Sequence, residues 1–178
     1  MDITKTASKV VYRNRWMTVR EDKIARPSGS EGIYGVVEKP DFAVIAAIEH
    51  DQVWLVEQFR YPVGGRYWEL PQGSTEKSGI TPAELAAAEL REETGVVARS
   101  MVHVGHLFAA YGYATQGYDV YLARELESGV TQRDAEEEGL IARTFDMRDV
   151  EDMIRTGVIK DATTVAAFGL LRLKGYLS

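Results

Sequence analysis

Glu89, Glu92 and Glu93 fall within five residues of one another in the stretch TPAELAAAELREETG, residues 81–95. Each residue of a helix turns by about 100°, so the three carboxylates share an arc of about 100° on one face. Like charges at i,i+3 and i,i+4 repel by a few tenths of a kcal/mol in an isolated helix. A hard divalent cation between them reverses that cost. Magnesium and manganese take oxygen ligands and bind through a few carboxylates together with phosphate and water. The same residues also suit the solvated face of an amphipathic helix, with Arg91 and Arg99 balancing part of the charge. Gly73 and Gly79 in the preceding loop favour the metal site, because glycine lets backbone come close to a phosphate.

Other chemistry is thinly represented. The chain has no cysteine, which excludes disulfides, thiolate metal sites and cysteine nucleophiles. His50, His103 and His106 read as structural or surface residues, and His103 and His106, three apart on a strand, should point to opposite faces. No G-x-G-x-x-G and no P-loop is present, so dinucleotide-fold and NTPase readings lack their main signal.

The elements that must position the glutamates are readable around them. Thr81 is a good N-cap, Glu84 completes a capping box, Pro82 suits the first helical position, and Gly95 suits a left-handed end. The helix is therefore predicted over 82–94. Before it, Val10 to Val19 reads as a strand, RPSGSEG (26–32) as a turn, and DFAVIAAIEH and QVWLVEQFR as buried strands split at His50 and Asp51. YPVGGRYWELPQG reads as a bent, loop-rich connection. After the helix, SMVHVGHLFAA, GYDVYLAREL and LIARTFDM read as strands, with RDAEEEG a polar loop. Helices over about 149–156 and 162–174 close the chain, the last with Val165, Phe168 and Leu171 on one stripe. Strands on both sides of one helix, then closing helices, indicate an α+β or mixed α/β layer structure with no obvious linker.

Bulk properties agree with one compact domain of 178 residues, 45% apolar and 27% charged. The apolar run from Phe42 to Ile48 is far short of the roughly 20 residues needed to span a bilayer, and MDITKTASKV lacks a secretory h-region. We expect no membrane partner and a cytoplasmic location. A net charge of −6 argues against a nucleic-acid surface, although a bound cation can still recruit an anionic small molecule.

The stretch from Gly73 to Val96, GSTEKSGITPAELAAAELREETGV, resembles the Nudix box, G-x5-E-x7-R-E-U-x-E-E-x-G-U with U apolar. Its core is present from Glu89 to Val96. Three departures stand out: one extra residue between Gly73 and Gly95, Ile80 at the first glutamate position, and Ala88 at the arginine position. VVYRNRWMTVRED, GIYGVVEKPDFAVI, VEQFRYPVG, WELPQG and IKDATTVAAFGLLRL extend the resemblance to the ADP-ribose pyrophosphatase-like branch, over roughly residues 9–173. AAYGYATQG differs from the proline-glycine loop common there.

The resemblance implies an α/β/α sandwich of the Nudix fold. It has a mixed sheet flanked by helices over residues 41–178 and a small antiparallel β lobe over residues 1–40. It implies Glu89, Glu92 and Glu93 as ligands of magnesium or manganese, more than one ion with substrate bound, and the backbone carbonyl of Gln72 as a further ligand. Glu138, or next Glu136, would join Glu92 in handling the attacking water; a solvated acidic loop is the plain alternative for that segment. Arg60 matches an arginine on substrate phosphate or ribose, and Trp16 an aromatic on adenine. A strand-end surface charge and a buried or interface tryptophan are the corresponding structural alternatives. Relatives are usually homodimers in which N-terminal strands complete the partner's site. The expected reaction is hydrolysis of a nucleoside diphosphate linked to another group, with ADP-ribose giving AMP and ribose 5-phosphate. Another nucleoside diphosphate sugar is the first alternative. A catalytically weak nucleotide sensor is the second, kept open by Ile80 and Ala88, and an oligomeric scaffold is the third.

Overall fold

The computed structural model describes residues 2–74, 79–129 and 139–177. The chain divides into two compact units, one comprising Met1–Asp41 with Leu107–Tyr118 and the other Phe42–His106 with Asp119–Ser178.

The first unit is built on a three-stranded antiparallel sheet of β1 (Thr4–Arg13), β2 (Thr18–Ala25) and β3 (Glu31–Glu38), in that order. The single strand expected from Val10 to Val19 is in fact two strands joined by a turn. The cause is Asn14, whose side-chain oxygen accepts the N–H groups of Trp16 and Met17 at 2.9 Å each. This side-chain turn competes with strand pairing and wins over the β-branched residues around it. RPSGSEG turns as expected, with Gly29 at φ 83° and its N–H on the Arg26 carbonyl.

The second unit holds a mixed sheet. β4 (Phe42–Glu49) and β5 (Gln52–Arg60) form a hairpin through His50 and Asp51, both at positive φ, as a two-residue turn of matching twist requires. Along the sheet the order is β10 (Ile141–Asp146), β5, β4, β9 (Gly117–Ser128), β8 (Val96–Phe108). The connection after β5 is more regular than expected. A short 3-10 turn at Tyr61–Val63 leads to β6 (Gly65–Glu69), which returns antiparallel along β5, and then to β7 (Gln72–Gly73) on β4. Gly64, left-handed at φ 62°, reverses the chain, and the aromatic pair Tyr67 and Trp68 suits a strand.

Helix α1 (Pro82–Thr94) lays Leu85, Ala86 and Leu90 on Ala43, Ile45 and Ala47 of β4, with Tyr121 and Ala123 completing the layer. Val44, Ala46 and Ile48, which alternate to the other face of β4, are equally buried. Helix α3 (Ala162–Leu173) packs on β4 and buries Ala167, Phe168 and Leu171, and α2 (Met147–Arg155) buries Val150 beside β10 and β5. A strand buried on both faces between helices makes this the α/β/α sandwich expected. Observed helix ends match 82–94 and lie within two residues of the other two expectations.

Candidate active site

The carboxylate helix is prepared by its own ends. Thr81 Oγ1 accepts the Glu84 N–H at 3.3 Å, and the Glu84 carboxylate accepts the Thr81 N–H at 2.8 Å. Gly95 closes the helix at φ 73°, donating to the Arg91 carbonyl at 2.9 Å. Burial of Leu85, Ala86 and Leu90 fixes the rotation of the helix and so decides where the glutamates lie.

Each glutamate then meets a different setting. Glu93 is only 1% exposed, and its Oε2 accepts the Gln72 N–H at 3.0 Å. Glu89 lies against Gly73 so closely that a Cβ at that position would overlap its carboxylate. Gly73 is not among the positive-φ glycines, so it supplies room rather than an unusual backbone. Glu92 is partly exposed, with Arg91 Nη2 at 3.9 Å from its Oε1. Arg99 pairs instead with Glu127 at 2.5 Å. Thus both residues of β7 bear directly on the helix carboxylates.

A cleft of about 500 Å³ adjoins Gln72, lined by Arg60, Glu69, Asp161 and Thr163, with Phe42, Tyr67 and Lys160. Glu69 is 2% exposed and holds Arg60 in a fork, Nε at 3.2 Å and Nη2 on the other oxygen, while Gln58 Nε2 donates at 2.9 Å. Burial pushes the Glu69 carboxyl above the usual carboxylate range, against the pull of Arg60. Asp161 caps α3. Burial would raise its carboxyl, but the hydroxyls of Thr163 and Thr164, the Thr164 N–H and the Gln72 amide together hold it below the usual range. The bonds from Gln72 to Asp161 and Thr163, and the bond from Leu70 N–H to Thr164 Oγ1 at 2.9 Å, were invisible in sequence because 89 or more residues separate the partners.

Of the expected site residues, Glu89, Glu93 and Gln72 are brought together, Glu92 shares their helix, and Arg60 lines the cleft beside Gln72. Trp16 lies in the other unit, 49% exposed in the β1–β2 turn, with the Arg15 guanidinium 4.8 Å above its ring. Glu136 and Glu138 lie outside the described residues. The two histidines expected on opposite faces share one partner: His103 Nε2 is 2.7 Å and His106 Nδ1 3.4 Å from Asp119 Oδ1. Strict alternation fails there, since Val102 and His103 are both exposed and Gly105 follows.

A family profile described as the NUDIX domain matches residues 38–168, and one described as the nucleoside diphosphate sugar hydrolase N-terminal domain matches residues 3–37. The chain belongs to the Nudix family. Among Nudix proteins it is ADP-ribose pyrophosphatase-like. It is 26% identical over 170 residues to the ADP-ribose pyrophosphatase of Bacillus subtilis strain 168, covering 94% of this chain and 91% of that one. It is 28% identical over 167 residues to the ADP-ribose pyrophosphatase of Mycobacterium tuberculosis, covering 93% and 81%. A solved structure of an ADP compounds hydrolase shares the fold, with a TM-score of 0.86 at 20% identity over 99% of this chain and 98% of that one. By family and relatives this Nudix chain is a pyrophosphohydrolase acting on a nucleoside diphosphate.

Nudix hydrolases generally use divalent metals, and the donor set here suits one. Among the described residues no three His, Asp or Glu side chains converge into a complete ion cage. Magnesium does not need one, since it binds through one or two carboxylates plus substrate phosphate and water. Glu89 is seated close over Gly73, where any Cβ would intrude, next to the Gln72 N–H that holds Glu93, so two carboxylates are available to share an ion.

Proposed function

We propose that this protein uses magnesium or manganese to hydrolyse ADP-ribose, with water, to AMP and ribose 5-phosphate, and that it works as a homodimer. The observation that carries the metal site is the pair of supports from β7: Gly73 makes room for Glu89, and the Gln72 N–H holds Glu93. Glu89, Glu92, Glu93 and the Gln72 carbonyl hold the ions, more than one when substrate is bound. Such ions, when present, neutralise phosphate charge and acidify water, so that no protein nucleophile is needed. Arg60, already oriented by Glu69, offers its guanidinium to phosphate or ribose at the cleft. Glu138, or Glu136, accepts the proton of the attacking water, and Trp16 stacks on adenine from the N-terminal strands, which complete the partner's site. The proposed location is the cytoplasm.

A second reading, a different nucleoside diphosphate sugar, is favoured by the profile matching residues 3–37. A panel of diphosphates assayed with Mg²⁺ and Mn²⁺ decides between them by kcat/KM. Glu92→Gln and Glu93→Gln should each lower turnover of the preferred substrate by about a hundredfold or more. Tight binding with no turnover of any diphosphate would instead make the protein a sensor.

A further inference from the structure

The segment Asp161–Thr164 has no part in the chemistry described so far, yet it is tied to the carboxylate helix at one remove. An N-cap needs a single acceptor for a helix N–H. Asp161 meets that need with the Thr164 N–H at 2.8 Å, and then collects three more donors: Thr164 Oγ1 at 2.7 Å, Thr163 Oγ1, and Gln72 Nε2 at 3.2 Å. The single proton of the Thr163 hydroxyl is shared between Asp161 and Gln72 Oε1, 2.9 Å away, and Thr164 Oγ1 accepts the Leu70 N–H at 2.9 Å. The start of α3 therefore grips the strip from Leu70 to Gln72 at both ends, with Pro71 between. That strip ends in Gln72, which supports Glu93, and continues into Gly73, which makes room for Glu89.

We infer that Asp161 is a positioning residue for the metal-binding carboxylates, acting with Thr163 through Gln72; this rests on the reading of Glu89 and Glu93 as ligands. The Gln72 side chain is held by Asp161 and Thr163, and its backbone N–H holds Glu93. If the side chain is released, the strip is free to shift, and Gly73, over which the Glu89 carboxylate is closely seated, shifts with it. Outer-shell partners of this kind typically change metal affinity or activity by about 10–100-fold when removed.

The test is Mn²⁺ binding to the full chain without nucleotide, followed by electron paramagnetic resonance of the free ion, beside thermal unfolding of each variant. Thr163→Val removes the Thr163–Gln72 link and leaves the Asp161–Thr164 cap bond and the Asp161–Gln72 bond in place. Asp161→Ala removes those two and leaves Thr163 beside Gln72. Each should weaken Mn²⁺ binding by about tenfold, and Thr163→Ser should restore it. In turnover assays the change should fall on the Mn²⁺ concentration needed for half-maximal rate more than on nucleotide KM. Thr163→Val binding Mn²⁺ as well as wild type would overturn the inference, as would a loss confined to Asp161→Ala that tracks a lower Tm. If wild-type Mn²⁺ binding is indifferent to Glu89→Gln and Glu93→Gln, the ligand assignment itself fails and takes this inference with it. Binding that depends on those glutamates but not on Thr163 sinks the positioning role alone.

Discussion

An alanine at residue 73 would place a methyl group where the Glu89 carboxylate lies. The backbone there is ordinary, so Gly73→Ala should leave Tm nearly unchanged while lowering Mg²⁺-dependent turnover by about tenfold or more, measurable in one assay series. Arg60 gives a different outcome. Removing it strands a buried carboxylate, costing on the order of 2 kcal/mol, less than the about 3–5 of a fully buried pair because Arg60 is 41% exposed. Burial already raises the Glu69 carboxyl, so its contribution to stability is greatest at low pH and falls as pH rises through the folded-state value. Loss of Arg60 moves that value higher. Arg60→Gln should therefore be more destabilised relative to wild type at pH 8 than at pH 5, by chemical denaturation. The glutamates and Arg60 could be picked out in sequence because spacing and motif are local properties. The Glu69 fork and the Asp161–Gln72 bond could not, since only the fold brings β6 onto β5 and the start of α3 onto β7.

Helix α1 owes its start to a reciprocal pair rather than to its apolar face. The Thr81 N–H and hydroxyl both donate to the Glu84 carboxylate and hold it below its usual 4.5. A lowered acid stabilises the fold above its unfolded value and loses that contribution as pH falls through the folded one. The Tm advantage of wild type over Glu84→Gln should thus be full at neutral pH and close as pH drops below 4.5. Leu90→Ala, at a fully buried position, should cost about 2–5 kcal/mol in denaturant unfolding and carry the glutamates with it. This helix was legible to the residue because its caps lie in the sequence itself. The strand expected over Val10 to Val19 was not, because one asparagine side chain outcompetes a β-rich run. Likewise β6 hid inside a glycine- and proline-rich stretch whose pairing partner is the strand before it.

At the scale of the whole chain, Leu107–Tyr118 belongs with the N-terminal strands, an association that no local pattern announces. Val37 exchanges backbone bonds with the segment, donating to the Tyr113 carbonyl at 2.8 Å and accepting from Thr115 N–H at 2.9 Å. A mixed α/β layering was readable from the run of elements, and the α/β/α sandwich from the family resemblance; this long-range return was not. All ten residues of β1 are exposed, including Val10, Val11 and Tyr12, and an edge strand of that length is normally covered. The proposed homodimer predicts twice the chain mass by light scattering, and Val11→Lys should shift the protein toward monomer.

The amides of Leu70 and Gln72 have an unusual property: they donate to side chains, Thr164 Oγ1 and Glu93 Oε2. Their exchange with deuterium therefore reports on two helices at once. Slow exchange at Leu70 registers an intact start of α3, and slow exchange at Gln72 registers a seated Glu93. Two peaks in one spectrum can follow how the glutamate face responds when an ion or a nucleotide arrives, without any label placed in the cleft.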